Sequence, residues 1–171
     1  MEIERKFLIS KLPENLSDYP CHQIEQGYLC TDPVVRIRRQ DDSFILTYKS
    51  GGMMSREEYN LPLTEEAYEH LRPKTDGIFL SKKRYCIPFG KYTIELDIFE
   101  QDAAPLILAE VEFPSEEEAN AFVPPAWFLE DVTWQPYYHN SYISRHGYQA
   151  PDSKWKKDPQ NAGCESRPVR I

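Results

Sequence analysis

The sequence predicts an α+β fold built on a closed eight-stranded antiparallel β-barrel, a tunnel with a charged interior flanked by short helices. Three observations carry that expectation. Most segments alternate with a period of two, turn signals separate them at short intervals, and two brief segments with helix-start chemistry are the exceptions. The 171 residues are 40 % hydrophobic and 13 % aromatic, enough for one core and of a length that suits one domain.

Taken in order, the expected strands are 2–10, 24–30, 34–40, 43–49, 56–61, 77–88, 92–100 and 106–113. Asp41-Asp42, Gly51-Gly52 and Phe89-Gly90 punctuate them. Between the fifth and sixth, residues 64–71 open on Thr64 followed by Glu65 and Glu66, a cap with acids in the first turn. Residues 115–122 open on Ser115 with Glu118 three positions on, a capping box. From Ala150 the chain turns polar and proline-rich, with five basic and three acidic residues. The expected division is therefore a folded body, 1–149, and a flexible tail, 150–171.

Charge excludes some roles. With 28 acidic against 20 basic residues the net charge is -8, which argues against coating nucleic acid by bulk attraction. No run approaches the roughly 20 apolar residues that span a bilayer, and MEIERKFLIS carries charges where a secretory signal needs an apolar run. Cys21, Cys30, Cys86 and Cys164 are scattered without zinc-ligand spacing, so reduced thiols in the cytoplasm are expected.

The alternation is inverted in its chemistry: the polar partner is repeatedly charged. Residues i and i+2 of a strand share a face, roughly 6.6 Å apart at a rise of about 3.3 Å per residue. Glu2/Glu4, Glu95/Asp97 and Glu110/Glu112 are thus same-face carboxylate pairs, while Arg36/Arg38 and Lys82/Arg84 are same-face cation pairs. The intervening Ile3, Val35, Ile37, Ile94, Leu96, Ile98, Val111 and Phe113 need cover, which the two helices and the segment 124–128 would supply from outside. The charged faces would then line a wet channel. Like-charged neighbours in such a channel repel, so the lining makes sense around a ligand carrying both signs. A divalent cation with a polyphosphate is one: hard oxygen ligands suit Mg²⁺ or Mn²⁺, and Arg and Lys suit phosphate oxygens. Neither a P-loop nor a GxGxxG is present, so side chains would do the phosphate recognition.

The opening Glu2-Ile3-Glu4-Arg5-Lys6 resembles the start of the CYTH superfamily, also called triphosphate tunnel metalloenzymes. The resemblance continues in order through Gln26-Gly27-Tyr28-Leu29, Val35-Arg36-Ile37-Arg38, Thr47-Tyr48-Lys49-Ser50, Ser55-Arg56-Glu57-Glu58-Tyr59, Lys82-Lys83-Arg84-Tyr85, Ile94-Glu95-Leu96-Asp97-Ile98-Phe99 and Glu110-Val111-Glu112-Phe113, and the segment from Pro124 to Thr133 is similar to the short bacterial branch. It implies an eight-stranded tunnel acting on triphosphates with Mg²⁺ or Mn²⁺. Carried over by position, Glu2, Glu4, Glu110 and Glu112 would hold metal, with Glu95 and Asp97 as further ligands. Glu4, Lys6, Glu58 and Asp97 would take catalytic roles, and Lys6, Arg36, Arg38, Lys49, Lys82 and Arg84 would line the substrate path. Only one of the adjacent Glu57 and Glu58 can face inward, and the resemblance picks out Glu58.

The resemblance also implies a basic group near Tyr137-Tyr138-His139-Asn140-Ser141; His139 is either that group or an ordinary surface residue. The expected reaction is hydrolysis of inorganic triphosphate to pyrophosphate and phosphate by a monomer or homodimer with no nucleic-acid or membrane partner. The alternatives are an adenylate cyclase, a thiamine or nucleoside triphosphatase on the same fold, a non-catalytic polyphosphate binder, and an acidic sheet whose charged faces are merely solvated.

Overall fold

The computed structural model describes residues 1–149, and the tail expected at 150–171 lies outside the described residues. The strands are β1 (Glu2–Ile9), β2 (Cys21–Thr31), β3 (Val34–Gln40), β4 (Ser43–Lys49), β5 (Ser55–Arg56), β6 (Glu58–Leu63), β7 (Asp76–Phe89), β8 (Tyr92–Glu100), β9 (Ile107–Glu112) and β10 (Phe128–Asp131). The helices are α1 (Glu65–Leu71), α2 (Glu116–Ala121) and α3 (Asn140–His146). The caps act as their chemistry requires: Thr64 Oγ1 accepts the Ala67 N–H at 3.2 Å, and Ser115 Oγ accepts the Glu118 N–H at 3.2 Å. Sequence reading missed β10, only four residues long, and α3, whose Asn-Ser-Tyr-Ile-Ser-Arg-His offers few strong helix formers. Among the described residues no helix is long and apolar enough to cross a membrane.

All pairings are antiparallel, in the order β10-β1-β9-β8-β7-β2-β3-β4-β6, with β5 pairing β1 off that path. The expectation of a closed eight-stranded barrel is corrected here: among the described residues there are ten strands, and no continuous ladder closes the sheet. The reason lies in how the free edge of β1 is shared. Only Glu2 and Ile3 pair with Arg56 and Ser55 of β5, and Glu4 N–H donates to the Met54 carbonyl at 3.0 Å. Beyond them β10 takes the edge, at Phe7 and Ile9. The break at Glu57 separates β5 from β6, so the segment that reaches β1 is not the one that runs along β4.

The faces divide as the inverted alternation demands. Ile3, Phe7, Ile94, Leu96, Ala109 and Val111 point outward into an apolar core that also takes Phe113, Ala119 and Phe122, with Trp127 and Phe128 packed against it. The Phe122 ring lies 5.1 to 6.0 Å from those of Phe113, Tyr92, Phe7 and Phe89, so the end of α2 is the cover for this part of the sheet. Helix α1 covers the other side through Tyr68, whose ring lies 5.1 Å from Phe44 and 6.4 Å from Phe79.

The inner face is charged along only part of its length. Opposite residues share a face, so the pairs Lys82 with Phe99 and Asp97 with Leu108 mark where the lining changes from charged to apolar. Past that line Leu80, Phe99 and Leu108 join Val132, Tyr138 and Ile143 in a second apolar cluster, with Leu8 against it. The interior is therefore a blind cavity with an apolar plug. Helix α3 completes the plug and sits close on β7: Ser144 Oγ donates to the Ile78 carbonyl at 2.8 Å. A Cβ on Gly77 (φ +69) would lie 2.3 Å from the Ser144 carbonyl oxygen, so glycine is required for this approach.

Candidate active site

Beyond the plug, the inner face encloses about 340 Å³. Strand alternation brings each charged pair to it: Glu2, Glu4 and Lys6 from β1, Glu110 and Glu112 from β9, Glu95 from β8, Arg84 from β7, Arg36 and Arg38 from β3, Lys49 from β4 and Glu58 from β6. Glu57 is exposed, while Glu58 lines the cavity. Cross-strand register then sets the partners. Lys6 stands opposite Glu110 and Glu4 opposite Glu112, while Lys49 stands opposite Glu58.

One wall is a network of ion pairs. Lys6 Nζ reaches Glu110 at 2.5 Å and Glu4 at 2.9 Å. Lys49 Nζ donates to Glu2 at 2.5 Å and lies 2.7 Å from Glu58. Arg56 bridges Glu2 and Glu4 at 3.0 and 2.9 Å. Burial, the largest single influence, would raise the Glu4 and Glu110 carboxyls, but Lys6 together with Lys49 at Glu4, and with Lys82 and Arg84 at Glu110, holds both below the ordinary value. Lys6 responds in the opposite sense: burial would lower it, and Glu110 and Glu4 together raise it.

Asp97 and Lys82 do not line this cavity. They lie beneath its wall, 0 % and 1 % exposed, where Lys82 Nζ donates to Asp97. Arg84 closes over them with Nε and Nη2 donating to Asp97 at 2.6 and 2.7 Å, and it extends to Glu110 at 2.7 Å and to Glu95. Burial and the adjacent Arg84 push Lys82 down to about 8 despite the Asp97 charge.

Among the described residues, two groups of charges are left without opposite partners. Arg36 reaches the Thr47 hydroxyl at 3.3 Å and Arg38 makes no hydrogen bond or ion pair; neither has a carboxylate partner, and the Nε of each is buried and unbonded. Burial, then Arg36 and Arg84, push Arg38 down to about 10. At the mouth, Glu112 has no cation partner either. Partial desolvation, followed by the charges of Glu95, Glu2, Glu4 and Glu58, pushes its carboxyl up to about 7.

This site holds a repelling cation pair on one side and a surplus carboxylate on the other, which is the arrangement an anion with a hard divalent cation would relieve. Among the described residues no three His, Cys, Asp or Glu side chains converge as a ready-made metal cage. Glu2, Glu4 and Glu110 are turned instead to Lys49, Arg56, Lys6 and Arg84. The donor set nonetheless fits such a cation, since it is all carboxylate oxygen and includes the unpaired Glu112.

Comparison with known proteins agrees with this architecture. The CYTH domain family matches residues 1–133. The chain belongs to the CYTH family. A curated inorganic triphosphatase of Nitrosomonas europaea is 40 % identical over 148 residues, covering 84 % of this chain and 96 % of that protein. An inorganic triphosphatase of Acetivibrio thermocellus is 34 % identical over 154 residues, covering 86 % and 96 %. A crystal structure of an inorganic triphosphatase superposes with a TM-score of 0.64 at 36 % identity, covering 89 % of this chain and 97 % of that one.

Within this CYTH chain, two cavity features, Arg56 and Asn60, escaped the reading from sequence, and a third, His139, was open between two roles. Arg56 pairs with both Glu2 and Glu4; the run Arg56-x-Glu58-x-Asn60 obeys the same i, i+2 rule as the strands that were recognised, and all three side chains line the cavity. The Asn60 side-chain oxygen accepts from Thr47 at 2.7 Å and so backs Arg36. His139 is not the surface residue allowed for: it is buried at the cavity floor, where its Nε2 donates to the Thr133 carbonyl at 3.1 Å. Burial, then Lys6, push it down to about 4, so the ring is neutral at pH 7.

Proposed function

We propose that this chain is an inorganic triphosphatase: a divalent-metal-dependent hydrolase that cleaves tripolyphosphate to pyrophosphate and phosphate. The observation that carries the reading is the pair Arg36 and Arg38, which face the carboxylate wall of a blind cavity without anions of their own. Phosphate oxygens complete both guanidinium groups, which fork onto such oxygens in bidentate fashion. Kinship at 40 % identity with a protein named inorganic triphosphatase supports the same substrate. A nucleotide needs surface for a base, and among the described residues Tyr28 is the only phenol or phenyl ring in the cavity wall.

Glu2, Glu4 and Glu112, with Glu95 and Glu110 beside them, would hold Mg²⁺ or Mn²⁺. When bound, the metal supplies neutralisation of phosphate oxygens and lowers the pKa of a coordinated water. The protein's own groups do the rest. Arg36, Arg38 and Arg84 hold the phosphate chain in line and balance charge on the group being transferred, which is most of what phosphoryl transfer needs from an enzyme. Lys6, fixed between Glu4 and Glu110, stays protonated and adds positive charge at the floor. Lys49, held by Glu2 and Glu58, is a second such cation. Asp97 acts through Arg84, whose guanidinium it orients.

The test is a substrate panel with each metal: tripolyphosphate, ATP, thiamine triphosphate and longer polyphosphate, measuring phosphate, pyrophosphate and cyclic AMP. Tripolyphosphate should be hydrolysed best, and activity confined to ATP would overturn the reading. Replacing Arg38 with Ala removes a charge-assisted contact of about 1.5–3 kcal/mol, so tripolyphosphate affinity should fall about 10- to 150-fold. An unchanged KM and an unchanged direct binding constant would place Arg38 outside the substrate path.

A further inference from the structure

Behind the cavity floor lies a second hollow, of about 290 Å³, between the turn at 31–34, the loop at 50–53 and residues 136–146. The two hollows share Val34, Arg56, His139 and Ser141, so these four residues are the partition between them. Arg56 is tied to Glu2 and Glu4, and Val34 and Ser141 are small. With the Arg56 guanidinium held by its two carboxylates, the His139 imidazole is the other large side chain in the wall.

That ring is seated firmly. Nε2–H donates to the Thr133 carbonyl at 3.1 Å, and the Thr133 hydroxyl accepts the Lys6 backbone N–H at 3.0 Å, tying the ring to β1. The His139 carbonyl accepts the Tyr142 and Ile143 N–H groups at 3.0 Å each, and α3 is pinned to β7 through Ser144 and Gly77. The hollow beyond is suited to anions. Arg56 and the exposed Arg145 line it against one carboxylate among the described residues, Asp32.

Resting on the triphosphatase reading, we infer that His139 is a specificity-determining stop: it limits the phosphate chain to the length of the first cavity and keeps longer chains out of the basic hollow behind. A chain that reaches the floor stops at the imidazole, so the added phosphates of a longer one would have to pass it. Removing the imidazole joins the two hollows and gives the extra phosphates Arg145 as a counter-ion.

The experiment compares the full chain with His139→Ala, Arg145→Glu and the double variant, on tripolyphosphate and on polyphosphates of four and more units, under one fixed Mg²⁺ concentration. His139→Ala should raise the kcat/KM ratio of longer chain to tripolyphosphate by at least about tenfold, the scale on which one pocket-wall group discriminates. Arg145→Glu alone should leave tripolyphosphate hydrolysis unchanged, and in the double variant it should cancel most of the gain. Val34→Ala thins the same wall from the other side and should relax chain length in the same direction, which keeps the test open if His139→Ala does not fold. An unchanged ratio in a folded, active wall variant overturns the stop. Failure of the unaltered chain to hydrolyse tripolyphosphate would instead sink the triphosphatase reading itself.

Discussion

Replacing Glu112 with Gln is expected to lower kcat/KM for tripolyphosphate by about 10²-fold or more while the folded protein becomes more stable above pH 7. Both effects have one cause. Glu112 has no cation partner, and the desolvation it undergoes together with the charges of Glu95, Glu2, Glu4 and Glu58 moves its carboxyl from an ordinary 4.5 up to about 7. Those neighbours make it a good donor to a divalent ion and a poor neighbour without one, and loss of such a donor costs several kcal/mol of transition-state stabilisation. The sign of the pH effect follows from proton counting. Between pH 4.5 and about 7 the metal-free folded protein holds a proton on Glu112 that the unfolded chain has released. Its stability therefore falls as pH rises through that window, and a Gln side chain removes the slope. Divalent-metal affinity should run the other way, rising up to about pH 7 as the carboxylate is freed. Thermal unfolding against pH and calorimetric metal titration read both. Wild-type metal affinity in the variant would take Glu112 out of the ligand set.

Replacing Asp97 with Asn should cost about 3–5 kcal/mol of folding stability, because two buried cations lose their common anion. Asp97 is fully buried and accepts from Lys82 Nζ and from two nitrogens of Arg84. An amide of the same shape cannot balance either charge. Lys82, already pushed down to about 8 with Asp97 in place, should shed its proton at a lower pH in the variant. A lysine that is neutral when folded and protonated when unfolded gives stability that rises with pH, so the variant should recover part of its loss in alkaline solution. Urea unfolding at several pH values measures this. A loss of metal binding with stability unchanged would instead restore Asp97 to the ligand set that its place in the strand suggested. That outcome would have to explain how a carboxylate sealed beneath the wall reaches the cavity.

Asp97 also shows where reading from sequence stops. The alternation Ile94-Glu95-Leu96-Asp97-Ile98 correctly predicts that Glu95 and Asp97 share the inner face, because a strand's period of two is a local property of the backbone. The same rule places Arg36 with Arg38, and Glu110 with Glu112. It is silent on depth along the strand. The lining turns apolar at Leu108, opposite Asp97, and at Phe99, two residues further in, so Asp97 is sealed while Glu95 stays at the mouth. Arg56 obeys the same alternation, but its strand is two residues long and broken at Glu57, too short for the pattern to mark it.

By itself, then, the chain determined the strand succession through β9, with β5 and β6 read as one strand, the two capped helices, the inward charge on nearly every strand and the kinship with the CYTH family. Each of these depends on neighbours a few residues apart, or on an ordered series of such motifs. Tertiary structure alone decided that the sheet stays open, with β10 and β5 sharing one edge of β1, and that α3 plugs one end. It also decided which charges cancel: Glu2, Glu4 and Glu110 are matched by cations from distant strands, while Arg36, Arg38 and Glu112 are left over. Net charge and local pattern carry no information about which opposite charges register brings within 3 Å, and the unmatched remainder is what the site presents to a ligand.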